Sequence, residues 1–495
     1  MADRHQMDAE RAVMSVSKLA PAALVQRLDR VGQAHLLRFY DQLGPQSRER
    51  LVQRIGTIDL DSLPKLIHDY VKHKPQVPVP AGLEPAPYYP NDPVSHVRGW
   101  DRERFRGAGE ALLRAGRVAA FTVAGGQGSR LGFEGPKGCY PAGAVTGKSL
   151  FYLFSEGLLA AGRKYGKPVP WYIMTSPLNH EATVAYFEQN SFHGLDRANV
   201  MFFPQGVMPS FEMGSGRVLL AEKDEPATNP DGHGGSLKAL HASGALDDMR
   251  RRGVEHISYF QVDNPIVKVV DPVFLGLHAT AEDSSGEMSS KMIPKASPDE
   301  KVGVFCAVDG RVEVIEYSDL PRELQHQRIG GPGGQLRFLA GSIAVHAMSV
   351  EFVSRLNTDA KFSLPYHRAD KKIPCVDVHS GERIEPDAPN GVKLERFVFD
   401  ALPLCRKSIV YETDRVEEFA PIKNAEGVDS VESSRAIQTL RAARWLASHG
   451  VGIPMNSAGE PDCVLEISPL TALEVSDLRA AKLPRQIERG AKVAL

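Results

Sequence analysis

Apolar positions fall into two rhythms along the chain. Between Pro21 and Leu43, the residues Leu24, Leu28, Val31, Leu36, Phe39 and Leu43 recur at spacings of three to five, as one face of a helix requires. This predicts a mainly helical first hundred residues. Prolines then crowd the stretch KHKPQVPVPAGLEPAPYYPNDPVS (72–95). Fixed φ angles and missing N–H donors exclude a regular helix there, leaving a linker or an arm wrapped over the next domain. Past this point short runs that are apolar or aromatic throughout alternate with amphipathic stretches. RVAAFTV (117–123), PWYIMT (170–175), NVMFF (199–203) and HISYFQV (256–262) have strand length and suit strands covered on both faces. LNHEATVAYFEQN and LKALHASGALDDMRRRG are long enough for crossover helices between them.

The predicted architecture is α/β, a doubly wound and mostly parallel sheet. A helical N-terminal region with its proline-rich linker spans 1–98, the α/β domain 99–410, and a smaller α+β domain 411–495. The last of these is signalled by FVFDALPLCRKSIVYET, which leads into it, and by the helical SRAIQTLRAARWLASHG.

Ligands of open parallel sheets sit beyond the carboxyl ends of the strands, so the residues there carry the chemistry. Ala124-Gly125-Gly126-Gln127-Gly128-Ser129-Arg130 follows the first run, Pro204-Gln205-Gly206 the third, and Asp263-Asn264 the fourth. NPDGHGGSLKAL adds a second glycine-rich turn that opens a helix. Glycines let backbone N–H groups approach an anion closely, and a helix start adds favourable partial charge. Arg130 and Lys137 then neutralise a polyphosphate, one as a planar fork and the other as a point charge.

Three familiar motifs fail. Gly126-x-Gly128 is followed by Leu131 where a dinucleotide fingerprint needs a third glycine. PAGAVTGKS has Ala142 where a Walker loop needs glycine, which makes Lys148 and Ser149 a decoy. HEATV has Val184 in place of the second histidine of a zinc protease.

Length and charge narrow the classes further. A chain of 495 residues exceeds a single core. Lys and Arg total 59 against 61 Asp and Glu, too balanced to hold a nucleic-acid backbone or an anionic membrane. The N-terminal MADRHQMDAERAVMSVSKLA has no apolar core of signal-peptide length, and charged residues interrupt every apolar stretch. Cys139, Cys306, Cys375, Cys405 and Cys463 are odd in number and widely spaced, as expected of reduced thiols in a cytoplasmic chain.

AGGQGSRLGFEGPKG resembles the L-x-x-G-G-x-G-T-R-L-G-x-x-x-P-K-G signature of UDP-sugar pyrophosphorylases, with Ser129 at the usual threonine. YIMTS, NVMFFPQGVMPS, NPDGHGG, VDNPIVKVVDP, EKVGVF, VIEYSD, KKIPCVD, PNGVKLERFVFD, PIKNAEG and EISPL extend the likeness. In that order they resemble the eukaryotic-type UDP-N-acetylglucosamine pyrophosphorylases. The resemblance implies a nucleotide-diphospho-sugar transferase fold. It also implies transfer of uridylyl from UTP to an N-acetylhexosamine 1-phosphate, releasing pyrophosphate and requiring Mg2+. On that basis Arg130 and Lys137 hold the triphosphate, with Lys423 near the transferred phosphate. Gly125, Gly126 and Gly128 shape the loop, and Gln205, Gly232 and the DGHGG backbone recognise uracil. Asp263 binds the metal. Gly303, Glu316, Ser342, Phe397 and Phe399 correspond to sugar-contacting positions. UTP and a sugar 1-phosphate are then the partners, with no nucleic acid and no membrane.

This chain departs from the family pattern at several of these places. His233 replaces asparagine and is similar to the histidine of the UDP-glucose and broad-specificity branches. FLAGSIAVH puts Leu339, Ser342 and Val345 where amides are usual. A serine hydroxyl is shorter than an asparagine amide and cannot present both donor and acceptor groups in the same way. A UDP-glucose or broad-specificity pyrophosphorylase is therefore the alternative expectation. A catalytically silent nucleotide-sugar binder is disfavoured by the persistence of Arg130, Lys137, Asp263 and Lys423.

Overall fold

The computed structural model describes residues 19–75, 79–331, 333–359 and 362–495. The expectations for the first eighteen residues and for Gln76–Pro78 of the proline-rich stretch lie outside the described residues. The chain divides into two compact units that interleave along the sequence. Met1–Pro78, Gly206–Gly235 and Leu364–Phe397 form the smaller, and Val79–Gln205, Ser236–Ser363 and Val398–Leu495 the larger. Their boundaries differ from 98/99 and 410/411.

The larger unit is built on a mixed, mostly parallel sheet. Its strands are β1 (Val118–Val123), β2 (Trp171–Thr175), β3 (Val200–Pro204), β4 (His256–Gln261), β5 (Met288–Pro294), β6 (Ala340–Ser349) and β7 (Val410–Glu412). The order across the sheet is Tyr88–Tyr89, β7, β5, β6, β4, β1, β2, β3. β4, β1, β2 and β3 run parallel. These are the four apolar runs of the sequence, and residues such as Phe121, Ile173 and Tyr259 are fully buried because helices cover both faces. β6 breaks the parallel pattern, lying antiparallel to both β4 and β5. The proline-rich stretch from Val79 is an arm of this unit. Glu84–Pro85 pairs with Val304–Val308, and Tyr88–Tyr89 extends the edge beside β7.

Helices are cut where the chemistry of their ends dictates. Asp101 caps the Arg102–Arg114 helix by accepting from Arg104 N at 3.0 Å, and Ser149 caps Leu150–Tyr165 through Tyr152 N at 3.1 Å. Lys148 pairs with the buried Glu156 at 2.6 Å, so the Walker-like lysine and serine both serve this helix start. The segment 237–253, expected as one helix, is two, because Gly244 turns left-handed at φ +77 between Gly235–Ala242 and Ala245–Arg251.

The smaller unit encloses its own core, in which Leu28, Leu36, Leu51 and Ile55 meet Phe211, Val218, Val392 and Leu394. The single helical face expected over 21–43 is interrupted. The Ala22–Arg30 helix ends at Gly32 with φ +71, and two short 3-10 turns, Ala34–Leu37 and Tyr40–Gln42, carry the remaining apolar residues inward. Gln33 and His35 fix this stretch to the backbone of Val218 at 2.8 Å each.

One contact of the larger unit leaves no room for a side chain. The Arg102–Arg114 and Pro272–Thr280 helices approach so closely that a Cβ on Gly109 would overlap the Pro272 carbonyl, and one on Gly276 the Phe105 carbonyl. Alanine would gain up to about 1 kcal/mol in helix propensity over glycine. Driving a methyl into rigid main chain costs about 1–3 kcal/mol. Gly276→Ala should therefore lower the urea midpoint of unfolding, and an unchanged or raised midpoint would refute this packing.

Candidate functional site

The carboxyl end of β1 is organised by close approach. Ala124 N still donates to Met174 O at 2.7 Å, after which the chain leaves the sheet. Gly125, Gly126 and Gly128 all keep negative φ, so conformational freedom is not what they supply. A Cβ on Gly125 would lie 3.0 Å from Gln205 Oε1, and one on Gly128 would lie 2.7 Å from the Phe133 ring. At Gly126 only the Lys137 methylene comes within 3.9 Å, which leaves its backbone open beside that side chain. Lys137 N donates to Gly126 O at 3.1 Å and folds the loop back on itself. Gln205, 6 % exposed, is placed by its own N–H donating to Thr175 O at the end of β2.

Asn179 is the clamp that sequence reasoning missed. Its Nδ2 donates to Ala124 O at 3.0 Å and Gly126 O at 3.2 Å, while its Oδ1 accepts from Ser176 N and Oγ at 2.8 and 3.1 Å. The amide thus joins the glycine loop to the turn after β2, a task that needs a donor and an acceptor on one side chain. The only sequence signal was a polar residue just before the His180–Gln189 helix.

Charge gathers where β1 and β4 end. Lys137 Nζ lies 3.9 Å from Asp263 Oδ2, and both side chains are largely buried, at 15 % and 13 % exposure. Burial lowers the Lys137 ammonium below its ordinary value. Asp263 and Asp429 oppose this shift, while Lys423 and Arg130 reinforce it. These five side chains therefore share one field, with three cations against two carboxylates. Lys423 is more exposed and sits 3.7 Å from Asp429.

Backbone ties bring Lys423 to this place. Ile422 N donates to Asp263 O at 2.8 Å. Asn264 Nδ2 donates to Glu418 O at 2.6 Å, and its Oδ1 accepts from Ala420 N at 3.1 Å. Asp429, in a left-handed conformation at φ +57, accepts from Lys423 N at 2.6 Å. Asp263 does not cap a helix; that role belongs to Asp271, eight residues on. Among the described residues no cluster of three metal-ligating side chains occurs.

Gly303, Glu316 and Ser342 are brought together in the larger unit. A Cβ on Gly303 would lie 3.1 Å from Glu316 Oε1, and Ser342 N donates to Gly303 O at 2.8 Å. Val345 is buried and Leu339 O accepts from Lys295 N. Phe399 is 5 % exposed in the Val398–Leu404 turn of this unit.

Gly232, His233 and Phe397 belong to the smaller unit. Gly232 has φ +83, and a Cβ there would overlap the Arg396 backbone, so only glycine serves. Phe397 is half-buried and stacks on both His233, at 5.1 Å and 14°, and His367, at 4.1 Å and 24°. Burial, and then the neighbouring His367, push the His233 imidazole down to about 4, so it is neutral at physiological pH. The buried Asp231 was not singled out in the sequence. It holds the turn through its main chain, N to Gly206 O at 3.2 Å and O from Arg396 N at 2.9 Å.

Residues 100–445 match the family model of UTP–glucose-1-phosphate uridylyltransferase. The chain belongs to that family. Within it, the human UDP-N-acetylhexosamine pyrophosphorylase-like protein 1 is 35 % identical over 477 residues, covering 90 % of this chain and 92 % of the human protein. The Arabidopsis thaliana UDP-N-acetylglucosamine diphosphorylase 2 is 32 % identical, covering 96 % and 94 % respectively. Among solved structures, the uridine diphosphate N-acetylglucosamine pyrophosphorylase of Trypanosoma brucei, in complex with an inhibitor, superposes with a TM-score of 0.77 at 25 % identity. That likeness covers 95 % of this chain and 98 % of the trypanosomal one. The family's α/β sheet is the fold found here. Among the described residues no helix is long and apolar enough to cross a membrane.

The Asn179 clamp makes a direct prediction. Asn179→Asp sets a carboxylate against two carbonyl oxygens, so amide hydrogen exchange over 125–137 should accelerate at least about tenfold, the loss of one to two buried hydrogen bonds. Unchanged exchange in that segment would remove Asn179 from the role.

Proposed function

We propose that the chain is a uridylyltransferase that converts UTP and an N-acetylhexosamine 1-phosphate, foremost N-acetylglucosamine 1-phosphate, into the UDP-sugar and pyrophosphate. The observation that carries this reading is Lys137, a largely buried ammonium at the ends of two parallel strands with Arg130 and Lys423 in its field. Such a group is costly unless an anion completes its surroundings. Relatives over nearly the whole chain are named for this chemistry.

The attacking group is a phosphate oxygen of the sugar phosphate, already anionic, so no general base is required. That oxygen bonds to the α-phosphorus of UTP as the bond to the departing pyrophosphate breaks. Positioning and charge neutralisation supply the rate. Arg130 and Lys137 hold the β- and γ-phosphates and the leaving pyrophosphate, Lys423 the transferred phosphoryl group, and the open backbone at Gly126 lets the loop approach. Gln205, resting on Gly125, offers one donor and one acceptor to the uracil edge. Asp263, a largely buried carboxylate, would hold a magnesium ion that keeps several waters. When bound, the ion neutralises phosphate charge. Gly303, Glu316 and Ser342 are assigned to the sugar. A cytoplasmic location belongs to the same reading and is supported by five free cysteines.

A second reading, a UDP-glucose or broad-specificity pyrophosphorylase, draws on His233 and on Ser342, whose hydroxyl is shorter than an amide. Pyrophosphate release from UTP and Mg2+ with N-acetylglucosamine, N-acetylgalactosamine and glucose 1-phosphates decides between them. The first reading expects the N-acetylated sugars to lead, and a preference for glucose 1-phosphate would install the second. Lys137→Ala should reduce turnover about 10²–10³-fold with the fold intact. Near-normal activity would overturn the assignment.

The lowered Lys137 ammonium has a signed consequence. In the free protein it loses its proton at a lower pH than an ordinary lysine, at 10.5, and the neutral amine no longer attracts phosphate. The alkaline limb of kcat/KM should therefore begin below that value and move upward in Lys137→Arg, whose guanidinium stays charged. Coincident limbs in the two proteins would exclude Lys137 as the titrating group.

A further inference from the structure

Behind the Asp263 turn the larger unit contains a cleft that none of the roles above uses. It holds about 70 Å³ and opens to solvent at its mouth. One wall is the segment after Asp263 and Asn264, with Val267 and Lys268. Phe154 and Tyr165 of the Leu150–Tyr165 helix form a second, and Arg441 and Trp445 of Val431–Ala447 a third.

The charges in this cleft are unevenly satisfied. Glu466 spends both oxygens on Val145 N, Thr146 N and Thr146 Oγ1, at 2.6–2.8 Å. Glu474 is held by Arg106 at 2.7 Å with Lys164 at 3.9 Å. The cations lack equivalents. Lys268 reaches Asp271 only at 3.8 Å, and that carboxylate is already bonded to Lys291 at 2.6 Å. Arg441 lies over the Trp445 ring at 4.3 Å and is 3.8 Å from Glu417, whose Oε2 is taken by Trp445 Nε1 at 2.8 Å. Its Nε is buried and has no hydrogen-bond partner. A guanidinium with one unmatched donor and a loosely matched ammonium thus line a cleft with aromatic and branched apolar walls.

We infer that this cleft is a second binding site, distinct from the glycine loop, for a small organic anion that carries a phosphate or carboxylate on an apolar or aromatic body. The anionic group meets Arg441 and Lys268, because a guanidinium with a free N–H binds an oxyanion by a charge-assisted hydrogen bond. The body lies against Phe154, Val267 and Trp445, where its removal from water adds to affinity.

The test is calorimetric titration of the full chain with phenyl phosphate, phenylacetate and the neutral benzyl alcohol. Saturable one-to-one binding of at least one anion is expected, at least about tenfold tighter than benzyl alcohol and retained in Lys137→Ala, which disables the glycine-loop site. Which anion binds better identifies the head group. Arg441→Met and Lys268→Gln should each weaken binding at least about tenfold without a matching fall in thermal midpoint. If Arg441→Met does not fold, Lys268→Gln carries the test. Absence of saturation, equal affinity for the neutral compound, unchanged affinity in the folded variants, or loss of binding in Lys137→Ala would each overturn the inference. None of these outcomes depends on turnover, so they leave the uridylyltransferase reading to its own assay.

Discussion

The larger unit depends on one ammonium buried without access to water. Lys291, 0 % exposed, bonds Asp271 at 2.6 Å and both oxygens of Glu418 at 2.6 and 2.7 Å. It sits on β5 where the ladder to β6 shifts register, so the irregularity aims a charged side chain inward. Its partners start the Pro272–Thr280 helix and precede the segment that delivers Lys423. Burial alone would raise the Asp271 carboxyl, but Lys291 and Lys268 beside it hold it well below the ordinary carboxylate range. A carboxylate depressed in this way stabilises the fold throughout neutral pH, and that contribution fails only in strong acid. Removing one partner would strand the others at a cost of about 3–5 kcal/mol, whereas a surface pair contributes at most about 1 kcal/mol.

From that anchor the chemistry at the strand ends is built by short, fully committed amides. Asn264 links the Asp263 turn to Glu418 and Ala420, and Asn179 links the glycine loop to the turn after β2. These amides therefore fix the backbone that carries Lys137 and Lys423. Three cations around two carboxylates would repel one another in an empty fold. The excess is tolerable because Lys423 and Arg130 remain partly in water while Lys137 bears most of the desolvation.

Much of this was readable from particular residues. β1 to β4 announced themselves because strands covered on both faces must be apolar throughout, and the loops after them carried Gly125, Gln205 and Asp263. β6 was invisible, since AGSIAVHAMS holds glycine, serine and histidine in a fully central strand. One of its polar side chains is met across the sheet, where Ser290 Oγ and His346 Nδ1 lie 2.9 Å apart. At Gly125 and Gly128 neighbouring side chains crowd the place a Cβ would take, an effect that a sequence pattern does not encode.

By itself the amino-acid order determined the local periods, the turn residues and the family signature, because each depends on neighbours a few positions apart or on a motif read directly. Tertiary structure alone decided that 206–235 and 364–397 join the helices of residues 19–75 in one core, that β6 runs against its neighbours, and that Lys137, Asp263 and Lys423 share a field. Those outcomes rest on contacts between residues far apart along the chain. Their energies come from burial and charge in three dimensions, and neither quantity exists until the chain has closed around them.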